Sequence, residues 1–291
     1  MLLVFIGRNR FDLSRRFPGH TALNRSETRD RLAEYLSGRR RTAIVASHPD
    51  DETIGLGARL AAFENAVFFI VTDGAPENLA DARAAGFTSR ADYAAARARE
   101  LEMVLTCSGV QCDEIQRLGL IDQRVSFCMY ELACDLALRI SRVEPEIVIT
   151  HPYEGGHPDH DATAFAVHSA CRLLQRAQAV APAIIEMSSY HWNGSGMETE
   201  AFLPYPGDAI VFELTEQERS RKKQLLACYA TQKETLSAFP LRQEMFRFAP
   251  SYDFTRLPHS APLFYDHFDW GIASAEWQEL ARAAIQKIEA T

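Results

Sequence analysis

Thr42-Ala43-Ile44-Val45-Ala46, followed at once by Ser47-His48-Pro49-Asp50-Asp51-Glu52, is the stretch that decides the fold. Small and β-branched residues form an apolar run that stops abruptly at His-Pro, the pattern of a buried parallel strand. Pro49 has no N–H for a strand ladder and keeps His48 out of the helical region, so the chain turns there. His48, Asp50 and Asp51 can each bind a metal or move a proton, and they crowd one turn at the carboxyl end of that strand. In open α/β sheets, ligands bind at that edge.

About a hundred residues later the pattern recurs. Glu146-Ile147-Val148-Ile149-Thr150 is a second buried-strand candidate, and it runs into His151-Pro152-Tyr153-Glu154-Gly155-Gly156-His157-Pro158-Asp159-His160-Asp161. If the two strands are parallel in one sheet, both loops open on one edge and can close on one ion. Pro158 suits the first turn of a helix. The spacing of His157 and His160 then puts both imidazoles on the same side of it.

The two pieces, HPDDE and HPDH, resemble the LmbE/PIG-L family of zinc-dependent N-deacetylases. The resemblance extends to Thr72-Asp73-Gly74, to Arg97-Ala98-Arg99-Glu100-Leu101-Glu102 ending in Ser108-Gly109-Val110, and to Tyr229-Ala230-Thr231-Gln232, so it covers roughly Thr42 to Phe239. The expected fold is α/β, a single Rossmann-like domain with a mostly parallel sheet flanked by helices, plus a C-terminal elaboration. Residues 1–41 are expected as an N-terminal extension, 42–239 as the catalytic domain and 240–291 as a segment packed on it.

By the same resemblance His48, Asp51 and His160 are the metal ligands, a neutral two-histidine, one-aspartate set. Such a set suits zinc better than magnesium, which favours oxygen, and it leaves a position for water. Other divalent ions could substitute. Asp50 matches the family's general base. The side chains of Asp50 and Asp51 diverge in an extended turn, so one can bind metal while the other faces the water. His157, as an imidazolium, would stabilise the oxyanion or protonate the leaving amine. Asp159 and Asp161 are candidates to orient a histidine. The implied reaction removes an N-acetyl or other N-acyl group from an amino sugar or glycoconjugate. The rival within the same chemistry is an amidase acting on a thiol conjugate or another non-sugar amide.

Substrate-binding candidates are Asp73 in the loop after the next strand, Arg97, Glu154 and His191. His191 belongs to Tyr190-His191-Trp192-Asn193, which could present aromatics to a sugar; plain packing explains it as well. Glu52 is expected to orient its loop and not to react. One departure matters: several sugar deacetylases of this family carry a tyrosine two positions before the second-loop catalytic histidine, where this chain has Gly155. Tyr153 or Glu154 could compensate.

Elsewhere the patterning predicts helices over Glu27–Tyr35, Arg90–Cys107, Phe127–Val143, Thr215–Tyr229 and Ala275–Ile288. It predicts strands over Val67–Thr72, Glu114–Leu118, Ala183–Tyr190 and Asp208–Leu214, and an irregular path from Phe239 to Gly271. The 291 residues are 47% hydrophobic and 24% charged, ordinary for a soluble globular protein. A net charge of −8 argues against a nucleic-acid or anionic-membrane footprint. The six cysteines show no CxxC spacing and read as reduced residues of a cytoplasmic protein. The apolar start Met1–Ile6 is too short for a signal or a span. No G-x-G-x-x-G follows a strand, which removes support from a nucleotide-binding reading. A small-molecule substrate is the expected partner, and homo-oligomerisation is open.

Overall fold

The computed structural model describes residues 25–110, 112–205 and 207–291. Met1–Ile6 and most of the expected N-terminal extension lie outside the described residues. Nine strands are present among the described residues: β1 (Thr42–Ala46), β2 (Ala66–Thr72), β3 (Cys112–Leu120), β4 (Ile147–Thr150), β5 (Ala183–Met187), β6 (Tyr190–Trp192), β7 (Met197–Thr199), β8 (Ala209–Glu213) and β9 (Gln243–Phe248). Seven form one sheet in the order β3-β2-β1-β4-β5-β9-β8, and β6 and β7 make a separate hairpin. The first five are parallel; β9 runs antiparallel to both β5 and β8. Thr42 of β1 is level with Ala66 on one side and with Ile147 on the other. The strand order reverses at β1, so the loops after β1 and β4 open side by side, at the switch point where such sheets bind ligands.

The helices are α1 (Arg25–Tyr35), α2 (Asp51–Leu56), α3 (Ala80–Ala84), α4 (Arg90–Ser108), α5 (Met129–Val143), α6 (Pro158–Arg176), α7 (Glu216–Leu226), α8 (Lys233–Leu236) and α9 (Ser274–Glu289). They cover both faces of the sheet. Ala43 and Val45 of β1 join a core with Leu136 of α5, Phe165 of α6 and Trp277 of α9. Ile44 and Ala46 join the opposite core with Leu32 of α1, Leu101 of α4 and Leu225 of α7. Every β1 residue is therefore buried, which is why the run is continuously apolar. Local chemistry sets the helix starts as expected: Pro158 opens α6, and Thr215 with Glu218 forms a capping box at α7.

α2 ends at Leu56. One local expectation changes. The path from Phe239 to Gly271 is not wholly irregular, because it contains β9. Inward-facing charges disguise that strand: Glu244 pairs with Lys222 at 2.9 Å and Arg247 with Glu186 at 2.7 Å. No helix among the described residues is long and apolar enough to cross a membrane.

Candidate metal centre and active site

The carboxyl ends of all five parallel strands feed one site. β1 leads to His48, Asp50 and Asp51; β2 to Asp73; β3 to Asp122; β4 to His151, His157 and His160; and β5 to Tyr190 and His191. His48, Asp50, Asp51, Asp122, His151, His157 and His160 are all at least nine-tenths buried.

The three expected ligands converge. His48 Nδ1 lies 3.2 Å from Asp51 Oδ2 and 3.2 Å from His160 Nε2, and His160 Nε2 lies 3.1 Å from Asp51 Oδ1. Ligand atoms about 2.0–2.1 Å from a tetrahedral zinc stand roughly 3.3 Å apart, so the donor set fits that ion in both type and spacing. The triplets Asp51–His151–His160 and His48–His157–His160 also bring donor atoms within 4.8 Å of one another. His151 stacks on His160 with ring centroids 4.0 Å apart, and its Nε2 accepts the Ser47 N–H.

The second nitrogens are held as metal-bound imidazoles require. His48 Nε2 faces Asp122 Oδ1 at 3.1 Å and Asp159 Oδ2 at 3.4 Å. The Asp159 carboxylate is itself fixed by the backbone N–H groups of Gln123 and Val125. His160 Nδ1 meets Ser189 Oγ at 3.4 Å. Asp161 does not orient a histidine; its Oδ1 accepts the N–H groups of Glu154 and Gly155 and so shapes the loop. Asp122 is not among the sequence candidates because the apolar pattern predicts a strand that stops at Leu118, two residues before β3 ends. An acid just past a parallel strand was the available signal.

Electrostatics sort the histidines. Burial opposes charge on His48, but the Asp122 and Asp51 carboxylates outweigh it and hold its pKa well above 6.5. That pocket favours a positive charge, which a proton or a metal cation can supply. Burial holds Asp51 back, yet His160, His151 and His48 pull its pKa well below the usual range. Burial lowers His160 and His157 to about 3 each; Asp51 opposes this at His160, while His48 adds to it at His157. His157 Nδ1 caps α6 by accepting the Asp159 N–H at 3.1 Å. Its proton is therefore on Nε2, and the ring is a neutral donor instead of the expected imidazolium.

Asp50 sits in an unusual backbone state for a non-glycine residue, with φ of 131°. Three contacts hold the turn. Glu52 accepts the Asp50 N–H at 3.1 Å, Arg97 Nη2 donates to Pro49 O at 2.7 Å, and the same nitrogen reaches Asp50 Oδ2 at 3.1 Å. Burial raises the Asp50 carboxyl to about 8, against the lowering effect of Arg97. Glu52 also accepts the Tyr229 hydroxyl, which links the first loop to the late Tyr229–Gln232 motif.

The four expected substrate contacts separate. Arg97 lies beneath the site as the partner of Asp50. Asp73 is tied by Arg90, which also donates to Ala75 O at 3.1 Å. Glu154 is buried, accepts the Leu203 N–H at 2.7 Å and pairs with Arg247 at 2.9 Å. His191 is 3.5 Å from Glu154 Oε2 and lines a cavity beyond the metal cluster. Gly155 has φ of +73°, and a Cβ there would lie 3.0 Å from the Leu263 side chain. Tyr153 donates to Arg256 O inside the core, and Glu154 is committed as described, so neither stands in for the missing tyrosine. Tyr190 packs its ring against His160, with centroids 5.4 Å apart.

Residues 43–171 match the family model "PIG-L: GlcNAc-PI de-N-acetylase". Over 131 residues the chain is 30% identical to the probable N-acetyl-alpha-D-glucosaminyl L-malate deacetylase 2 of Bacillus subtilis (strain 168). That match covers 43% of this chain and 57% of the relative, so the chain spans little more than half of its length. A deacetylase of the teicoplanin biosynthesis pathway shares the fold with TM-score 0.56 at 19% identity, over 71% of this chain and 96% of its own. The N,N′-diacetylchitobiose deacetylase of Pyrococcus horikoshii does so with TM-score 0.53 at 18% identity, over 77% and 90%. The segment that carries both histidine loops, residues 43–171, is thus the part of this chain that is similar to the PIG-L (LmbE-like) family.

Proposed function

We propose that this chain is a metal-dependent hydrolase that removes an N-acetyl or other N-acyl group from an amino sugar or glycoconjugate. The observation that carries this reading is the convergence of His48 Nδ1, the Asp51 carboxylate and His160 Nε2 at 3.1–3.2 Å, with the unliganded carboxylate of Asp50 beside them. The names of the similar proteins, deacetylases of amino-sugar compounds, point the same way.

His48, Asp51 and His160 would hold the ion, with zinc the best match to this donor set. Bound there, a divalent cation supplies Lewis acidity and lowers the pKa of water to about 7. Asp50, aimed by Arg97, takes a proton from the attacking water and returns it to the departing amine. His157 donates its Nε2–H to the carbonyl oxygen as charge builds there. Asp122 and Asp159 keep the His48 ring in its ligating orientation. The reaction consumes water and one amide and yields a carboxylic acid and a free amine. These groups all come from residues 48–160, inside the proposed catalytic segment 42–239. Segment 240–291 adds β9 to the sheet and α9 to one core.

Release of free amine, read with an amine-reactive fluorophore, tests the proposal. Zinc-loaded protein should deacetylate compounds from a panel of N-acetylglucosamine derivatives, and Asp50→Asn should be silent while keeping its metal. Undiminished turnover by Asp50→Asn would sink the assigned mechanism.

A further inference from the structure

Beyond the metal cluster lies a cavity of about 670 Å³, within the range of small-molecule sites. Its walls include His191, Trp192, Asn193 and Glu198 of the β6–β7 hairpin, with Phe202 and His259 from later segments. A series of aromatic contacts runs from His157 to Trp192 in its lining. Ring centroids of His157 and Trp270 are 4.5 Å apart, those of Trp270 and Phe264 6.2 Å, and those of Phe264 and Trp192 6.4 Å. On the other side His191 directly follows Tyr190, whose ring packs on His160.

The charge of the lining is selective. Among the described residues it contains the carboxylate of Glu198 and neither lysine nor arginine. Behind it, Glu154 Oε2 is buried without a hydrogen-bond partner, 3.5 Å from His191 Nδ1. Arg247 lies over the Phe202 ring at 4.1 Å, but it is paired with Glu154 at 2.9 Å and hydrogen-bonded to Glu186 at 2.7 Å. A dicarboxylate would meet the like charge of the Glu198 carboxylate here. A polyhydroxylated ring would find an indole face for its C–H surface and carboxylate, amide and imidazole groups for its hydroxyls.

We propose that this cavity is the subsite for the group attached to the amino sugar, and that it takes a neutral polyhydroxylated ring in preference to an anionic group. The proposal rests on the deacetylase reading above and narrows its substrate class. The walls fall outside residues 43–171, so the preference belongs to this chain's own later segments. It also sets the chain apart from the malate named for the Bacillus subtilis relative.

Isothermal titration of metal-loaded Asp50→Asn protein separates binding from turnover. N,N′-diacetylchitobiose should bind at least about tenfold tighter than N-acetylglucosaminyl malate, since like charges suppress the wrong partner. Adding Trp192→Ala should weaken chitobiose binding several-fold to about tenfold. Adding Glu198→Gln should narrow the gap between the two ligands. Equal or tighter binding of the malate compound overturns the proposal. So does chitobiose affinity that neither substitution changes. Acetate release by the wild type distinguishes the two levels. Intact binding preferences without release from any compound would sink the deacetylase reading and leave the subsite standing. Release without preference would sink the subsite alone.

Discussion

Arg97→Met removes one half of the buried pair beneath the site. Arg97 is 3% exposed and Asp50 5%, and 3.1 Å separates their charged atoms. At that distance two unit charges attract by about 5 kcal/mol with an effective dielectric near 20, and desolvation offsets part of this. Removing one member of such a pair leaves the other buried and alone, at a typical cost of about 3–5 kcal/mol. Asp50→Asn should destabilise for the converse reason, since Arg97 would keep only its contact with Pro49 O from this pair of residues. The double variant leaves neither charge. The two changes should therefore be less than additive by about 2–3 kcal/mol, the upper end for residues in contact. Urea unfolding of metal-free wild type, both single variants and the double variant at pH 9, above the Asp50 carboxyl that burial raises to about 8, measures this, with the m-values compared for consistency. Additivity within about 0.5 kcal/mol would refute the claim that this pair holds the strained turn at Asp50.

Asp122→Asn should weaken metal binding about 10–100-fold without removing a ligand, whereas His160→Ala should abolish the single bound ion; metal content after dialysis reads both. Burial and nearby Arg172 lower His168 to about 4. Glu186 Oε1, 3.9 Å away and itself pushed towards its neutral form by burial, does not reverse this. The stability from a neutral His168 is present above pH 6.5 and lost as pH falls towards 4. The wild type should thus lose roughly 3 kcal/mol more than His168→Leu across that window in urea titrations, and parallel curves would contradict it. Gly156→Ala would place a Cβ 2.0 Å from the Tyr190 carbonyl oxygen, which is backbone and cannot swing aside. It should cost about 1–3 kcal/mol and displace the His157 loop from β6, seen as a lower midpoint together with lower turnover.

The sequence by itself determined the parts governed by local chemistry. An apolar run cut by His-Pro fixed β1 and its turn, because Pro49 can neither extend the ladder nor let His48 turn helical. Pro158 fixed the start of α6, and with it the shared side of His157 and His160. Tertiary structure decided which groups meet. Asp122 reaches His48 only because β3 lies two strands from β1 in the sheet and ends at the same edge. His157 is a neutral donor because its Nδ1 caps its own helix in a buried setting, which residue identity does not reveal. Strand β9 was hidden because its inward Glu244 and Arg247 are satisfied by Lys222 on α7 and by Glu186 and Glu154 from earlier loops and strands. A buried charge looks like a surface residue until its partner is placed, and here every charged partner comes from at least 22 residues away.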